Sequence, residues 1–213
     1  MSDRNVSELK DLFSLRESEL AETLTIASAR TVAISALLSF SDIGFHATTT
    51  RHITERASVS AGSLYTYFKS KEDILNFWML EGHKRAYAVV EEAVARTQGA
   101  EKRIAAIVRD LTLWHIRYQT LSQVNTTQLR ALKKEHYVVV REYRRKIVDA
   151  LRAPVEEGVQ SGAFSVPTVE IYLNAVFAII LDVARWFPKD EDLDPEEVAD
   201  GYARLVRTML HSD

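Results

Sequence analysis

Residues 44–75 read GFHATTTRHITERASVSAGSLYTYFKSKEDIL, and the spacing within them decides the fold. Ile53 and Ala57 are four apart and share one face of a short helix, which Thr48 or Thr49 can cap. Val59 follows a turn, and Ser60 is a good N-cap for a second short helix. Leu64 and Phe68, again four apart, turn inward against Ile53, Ala57 and the preceding helix. That leaves Ala61, Gly62, Ser63 and Thr66 facing outward, with Tyr65 and Tyr67 on the flanks. Ser70-Lys-Glu-Asp73 reads as a capping box in its Asp form and opens a long helix that runs to about Thr97.

Upstream, Ile26, Ala29, Ala33, Ala36, Leu37 and Phe40 recur at helical steps until Gly44 stops the helix. Downstream, one helix is expected from Glu101 to about Tyr118. A break near Leu121 to Thr126 and a short helix from Thr127 to Leu132 follow. A long helix from Lys134 to Gln160 then ends at Ser161-Gly162. The last two run from Val169 to Trp186 and from Pro195 to Leu210, with Pro195, Glu196 and Glu197 suited to a helix start. No stretch alternates with the period of a strand. The expected fold is all-α with about nine helices in two parts. These are a three-helix helix-turn-helix domain over residues 1–75 and a larger helical domain over residues 76–213.

The 213 residues are 46% hydrophobic and 27% charged, enough for a real core and far from disordered or fibrous compositions. The 7 glycines are too scattered for a phosphate-cradling loop, and the 4 prolines all lie beyond residue 153. Without cysteine there is no disulfide framework, thiolate metal site or cysteine nucleophile. The six histidines form no pair at ligand spacing, and neither GxSxG nor HExxH occurs, so neither an enzyme nor a metal site is expected. The polar start does not read as a signal peptide, and no apolar run reaches a membrane-spanning length. The expectation is a soluble cytoplasmic protein without membrane contact.

The net charge of -3 argues mildly against a nucleic-acid partner until it is divided. Residues 1–23 hold three bases and six acids, residues 24–71 five bases and two acids, and residues 72–213 nineteen bases and twenty-two acids. The helix-turn-helix is therefore basic between two acidic segments. Its outward face suits a DNA groove. Ala61 and Gly62 let the backbone approach base edges, and Ser63 and Thr66 donate or accept. Ala61 or the Thr66 methyl can touch a thymine methyl. Tyr65, Tyr67, Thr50, Arg51 and Lys71 are placed to hold phosphates.

Gly44-Phe-His-Ala-Thr-Thr, Ile53, Ala57, Val59-Ser60, Gly62-Ser-Leu-Tyr65, Tyr67-Phe68, Lys71-Glu72 and Leu75 together resemble the DNA-binding signature of TetR-family transcriptional repressors. The resemblance implies a recognition helix over residues 60–68. It implies DNA contacts from Thr49 or Thr50, Arg51, Ser60, Ala61, Gly62, Ser63, Tyr65, Thr66, Tyr67 and Lys71. It also implies double-stranded operator DNA as partner, a ligand domain, and a homodimer through the last two helices. Ser58 departs from the pattern, standing where the family has a turn glycine, so a left-handed conformation there is strained. Ala61 replaces a frequent lysine or polar residue, and the acidic lead-in stands where relatives carry a basic arm.

In the larger domain, Trp114, His115, Tyr118, Gln123, Gln128, Tyr137, Tyr143, Asn174, Arg185 and Trp186 are candidates for an apolar ligand site with polar fixers. Core filling by satisfied aromatics is the competing reading. Ala184-Arg-Trp-Phe-Pro, residues 193–203, Leu129-Arg-Ala-Leu132, residues 141–152 and residues 157–164 are similar to repressors of fatty-acid and sterol catabolism. That similarity implies an acyl-CoA thioester as small-molecule inducer and no cofactor. Arg141, Arg144, Arg145, Lys146 and Arg152 could meet its phosphates, or simply form a solvated helix face. Ile171, Ala175, Ala178, Ile179 and Val183, with Val198, Tyr202, Leu205 and Met209, form the two apolar stripes expected at a two-fold interface. A helical protein-interaction module without DNA binding is the alternative function.

Overall fold

The computed structural model describes residues 27–188 and 193–211, which form nine α-helices and one short 3-10 turn. They are α1 (Ala27–Ile43), α2 (Thr50–Ala57), α3 (Ala61–Tyr67), α4 (Lys71–Ala95), α5 (Ala100–Arg117), α6 (Gln119–Thr127), α7 (Lys134–Gln160), α8 (Val169–Trp186) and α9 (Pro195–Met209). The 3-10 turn, Leu129–Ala131, lies between α6 and α7. The only strand-like pairing among the described residues is an isolated bridge between Ser165 and His211. The acidic lead-in lies outside the described residues.

The chain divides into two compact units. Of the described residues, the first holds 27–82 and 120–140; the second holds 83–119, 141–188 and 193–211. The division falls inside α4, between Gly82 and His83, rather than between residues 75 and 76, and a later stretch packs with the first unit. Gly82 shows why. A side chain built there would lie 2.0 Å from Asn125 Nδ2 and 3.4 Å from Leu121, so glycine lets α6 lie close against α4 with the Asn125 side chain in place. Polar links from residues 128–136, described below, complete the return.

Within the first unit, α1 buries Val32, Ala33, Ala36, Leu37 and Phe40. Gly44, at φ +80, ends it with its N–H on Phe40 O. Trp78 of α4 is fully buried and donates its indole N–H to Ala33 O at 2.8 Å. The expected break near Leu121 to Thr126 is instead the helix α6. Its Ser, Thr and Asn residues have low helix propensity, but Thr126 and Thr127 donate their hydroxyls back to Ser122 O and Gln123 O. Leu121 and Val124 are buried, and tertiary burial outweighs local preference.

In the second unit α5 carries the core through Ile104, Ile107, Val108 and Leu111. Arg109 on α5 donates to Asp200 at 2.6 Å and also to Glu196, both on α9. Tyr172 of α8 is buried and donates its hydroxyl to Val206 O at 3.1 Å, and that burial raises its pKa. Helices α7, α8 and α9 start and stop within a residue of where the sequence pattern puts them.

Candidate nucleic-acid interface

The helix-turn-helix is built from local chemistry. Thr49 caps α2, accepting from His52 N at 3.1 Å, while His52 Nδ1 accepts from Thr49 N. Ser58 takes the left-handed conformation at φ 55 and ψ 42, the strained geometry expected where glycine is missing. Ser60 then caps α3 by accepting from Ser63 N at 3.2 Å. Ile53 and Leu64 are fully buried, with Ala57 and Phe68 nearly so. Their burial fixes which side of α3 faces out.

On that outward side Ser60, Ala61, Gly62 and Thr66 are exposed, Ser63 is half-buried, and Tyr65 is 55% exposed. A side chain built at Gly62 would meet only Ser60 Oγ at 3.7 Å, an ordinary contact, so packing inside the protein does not require glycine there. Thr66 donates its hydroxyl to Gly62 O. Thr50 lies at the start of α2. Arg51 is well exposed and paired with Glu55 at 2.7 Å. Arg56 is likewise engaged with Asp42 at 2.5 Å. These intramolecular pairs temper the positive potential of the face.

Two expected phosphate contacts have internal partners. Tyr67 shares a 2.5 Å hydrogen bond with Ser28 Oγ at the start of α1, which ties down the C-terminal end of α3. Lys71 does not project outward as a free cation. Its ammonium donates to Phe45 O at 2.7 Å, Thr48 O at 2.5 Å and His46 O at 3.4 Å, and it sits 4.4 Å from the Phe45 ring centre. Burial lowers its pKa. Three carbonyls use its three donors, because the α1–α2 turn leaves them without helical partners.

The adjacent Glu72 is a site residue that the pattern does not disclose. It is 8% exposed, and burial pushes its pKa up. Hydrogen bonds from His136 and Lys133 outweigh burial and hold it below the ordinary carboxylate range. Glu72, Asp73 and His136 form the one group of metal-ligand type among the described residues. Lys133 Nζ, 3.3 Å from the Glu72 carboxylate, already supplies the cation there.

The ligand candidates fall in both units. Trp114, His115 and Tyr118 are buried together near the end of α5, with Trp114 ring centres 4.9 Å from His115 and 5.7 Å from Tyr118. His115 Nδ1 is buried without a hydrogen-bond partner. Burial, reinforced by His83, depresses the pKa of His115 to about 3, so its ring is neutral. Gln128 and Tyr137 belong to the first unit, where Gln128 Oε1 accepts from Phe45 N and Tyr137 is exposed. Asn174, Arg185 and Trp186 face solvent on α8, because Tyr172, Leu173, Val176, Ile180 and Val183 take its inner side. Asn174 donates to Glu170 O, Arg185 pairs with Asp182, and Trp186 donates to the Tyr202 hydroxyl.

A capped pair of short helices, the second presenting small and polar groups outward, defines a helix-turn-helix DNA-binding protein. The family of bacterial regulatory proteins named for tetR matches residues 35–76, and the tetracycline-repressor-like C-terminal domain matches residues 97–210. The chain belongs to the TetR family of transcriptional regulators. It is similar to the transcriptional repressor KstR2 of Mycolicibacterium smegmatis, 28% identical over 80% of this chain and 84% of that protein. A tetR-family regulatory protein from Rhodococcus RHA1 superposes with a TM-score of 0.80 at 29% identity, over 88% of this chain and 99% of that one. AibR, solved with isovaleryl coenzyme A and operator DNA, superposes at 0.75 with 21% identity, over 86% of this chain and 98% of its own. No helix among the described residues is long and apolar enough to cross a membrane.

Proposed function

We propose that the chain is a homodimeric repressor whose two α3 helices read an operator and which an acyl-CoA thioester releases. The observation that carries the DNA reading is the open, glycine-bearing outer face of α3, which internal packing does not explain. Ala61, Gly62, Ser63 and Thr66 meet base edges, while Thr49, Thr50, Arg51, Ser60 and Tyr65 meet the backbone. Ile171 at 58% and Leu205 at 48% exposed, one on each of the last two helices, favour burial against a second copy. A two-fold dimer places the recognition helices about 34–36 Å apart, in successive major grooves.

The effector class rests on relatives. AibR was solved with an acyl-CoA, and the exposed Arg141 and Arg145 of α7 offer cations to phosphates. Arg152 is taken by Glu170 through two hydrogen bonds of 2.6 and 3.0 Å, and Lys146 stacks on Tyr87 and Tyr143. The unpartnered His115 Nδ1, beside Trp114, can fix a polar group of the acyl chain or thioester. The small molecule acts as an effector: the reading contains no catalytic step and no cofactor, and it places the protein in the cytoplasm.

The test is a mobility shift with DNA from upstream of its own gene, titrated with acyl-CoA thioesters. The expected result is a retarded band that disappears as thioester is added. A band indifferent to every thioester overturns the effector class. Absence of a band at low salt overturns DNA binding and favours the protein-interaction module. Coupling is reciprocal, so operator must weaken thioester binding by the same factor.

A further inference from the structure

Lys71 and Glu72 are consecutive residues at the start of α4, immediately after the recognition helix. Their side chains hold different segments. Lys71 holds the turn of residues 45–48 through three carbonyl oxygens. Glu72 holds the connector between α6 and α7, accepting from Lys133 N at 3.0 Å and from His136 Nδ1 at 2.8 Å. The connector reaches back to the same turn, for Gln128 Oε1 accepts from Phe45 N at 3.1 Å. Turn, α4 start and connector thus close a ring of polar links, all within the first unit.

This ring is unlike the surface ion pairs elsewhere. Glu72 is buried and charged, and a buried carboxylate stripped of its donors is strongly disfavoured. Lys133 N, Lys133 Nζ and His136 Nδ1 come from one stretch of four residues, so a rotation of the first turn of α7 removes them together. Such an arrangement is either docked or released, with little between. We propose that residues 128–136 form a latch that holds the helix-turn-helix in its operator-binding position, with Glu72 and Gln128 as positioning residues that touch no DNA. The proposal rests on the operator-binding reading above and names the element through which that binding is regulated.

The experiment compares full-length wild type, Glu72→Gln and Gln128→Met for affinity to the upstream DNA over a range of salt, with amide exchange at Phe45 and Lys133. Glu72→Gln should weaken binding about tenfold and Gln128→Met about threefold. The slope of affinity against salt should stay unchanged, because no phosphate contact is lost. Phe45 N–H should exchange faster in Gln128→Met, and Lys133 N–H in Glu72→Gln. His136→Ala should weaken binding, and His136→Gln, which keeps a donor, should restore it. Thermal unfolding separates a released latch from a failed fold, and Gln128→Met, at a half-buried position, tests the ring should Glu72→Gln not fold. Equal affinities in folded variants, or a salt slope shallower by about one charge, overturn the latch while leaving operator binding intact. Wild type that ignores the DNA overturns the operator reading, and the latch with it.

Discussion

The outer face of α3 and the outer face of α8 and α9 both leave uncovered what helices usually bury, and they do so with opposite chemistry. On α3 the uncovered groups are backbone near Gly62, small side chains, hydroxyls and Tyr65, all of which water solvates readily. On α8 and α9 they are Ile171, Trp186 and Leu205, which water penalises. A polar reading surface can therefore stand complete and unoccupied, while an apolar one calls for a cover. The difference implies an order of assembly. In the proposed dimer, protomers would pair first and DNA would then meet a preformed pair of reading helices.

Charging the exposed apolar residues of α8 and α9 should cost operator binding most. Ile171→Glu with Leu205→Glu should convert a dimer to a monomer in sedimentation. The monomer should lose at least about a hundredfold in operator affinity, because the second half-site no longer adds to the first. A dimer that survives both changes places the interface elsewhere.

The polar side is broken by Gly62→Ala. Affinity for DNA should fall about tenfold as the new methyl group meets the groove. Thermal stability should rise by up to about 1 kcal/mol, since alanine is the better helix former and nothing crowds it. Opposite movements of the two readouts separate a contact from a structural residue. Loss of both together would make Gly62 a packing residue instead.

His115, in contrast to the α3 groups, is a polar group that is hidden rather than offered. Its folded pKa of about 3 lies below the ordinary histidine value, so the unfolded chain binds the extra proton first. Its contribution is intact above about pH 6.5 and is lost as pH falls from there toward 3, at up to about 1.4 kcal/mol per pH unit. Urea melts at pH 7, 6 and 5 should show this slope, and His115→Phe should flatten it. Identical slopes would mean that His115 is not held neutral.

Smaller effects come from the turn and from Lys71. Ser58→Gly should stabilise the protein by about 0.5–1 kcal/mol, by relieving the left-handed serine. Chemical denaturation reads this directly, and a destabilised variant would show that Ser58 is not strained. Lys71→Met should weaken operator binding with an unchanged salt slope, whereas a phosphate contact would shift the slope by about one.

The α3 face was legible in sequence because its residues lie within about twenty positions. Caps, a left-handed turn and four-residue spacing set their geometry without help from distant chain. Thr49, Ser60, Leu64 and Phe68 each act through neighbours on the same or the next helix. The spacing also carried α7, α8 and α9, whose polar breaks at Ser161-Gly162 and Asp194-Pro195 are local as well. Helix α6 escaped because Leu121 and Val124 are buried by tertiary packing, and Thr126 and Thr127 bond back to the backbone, neither of which composition discloses. Glu72 escaped because a carboxylate in a capping pattern looks solvated. Its burial depends on Lys133 and His136, more than sixty residues away. The exposure of Asn174 and Arg185 was not legible either, because residue type alone does not say which side of α8 packs inward.

Whether α3 reads DNA is decided by footprinting of the upstream DNA with hydroxyl radicals. Wild type should protect two patches related by a dyad, centred about 10–10.5 base pairs apart or a multiple of that. Gly62→Ala should lose both at the same concentration while remaining folded. Absence of protection at low salt, or protection that Gly62→Ala leaves unchanged, would contradict the account.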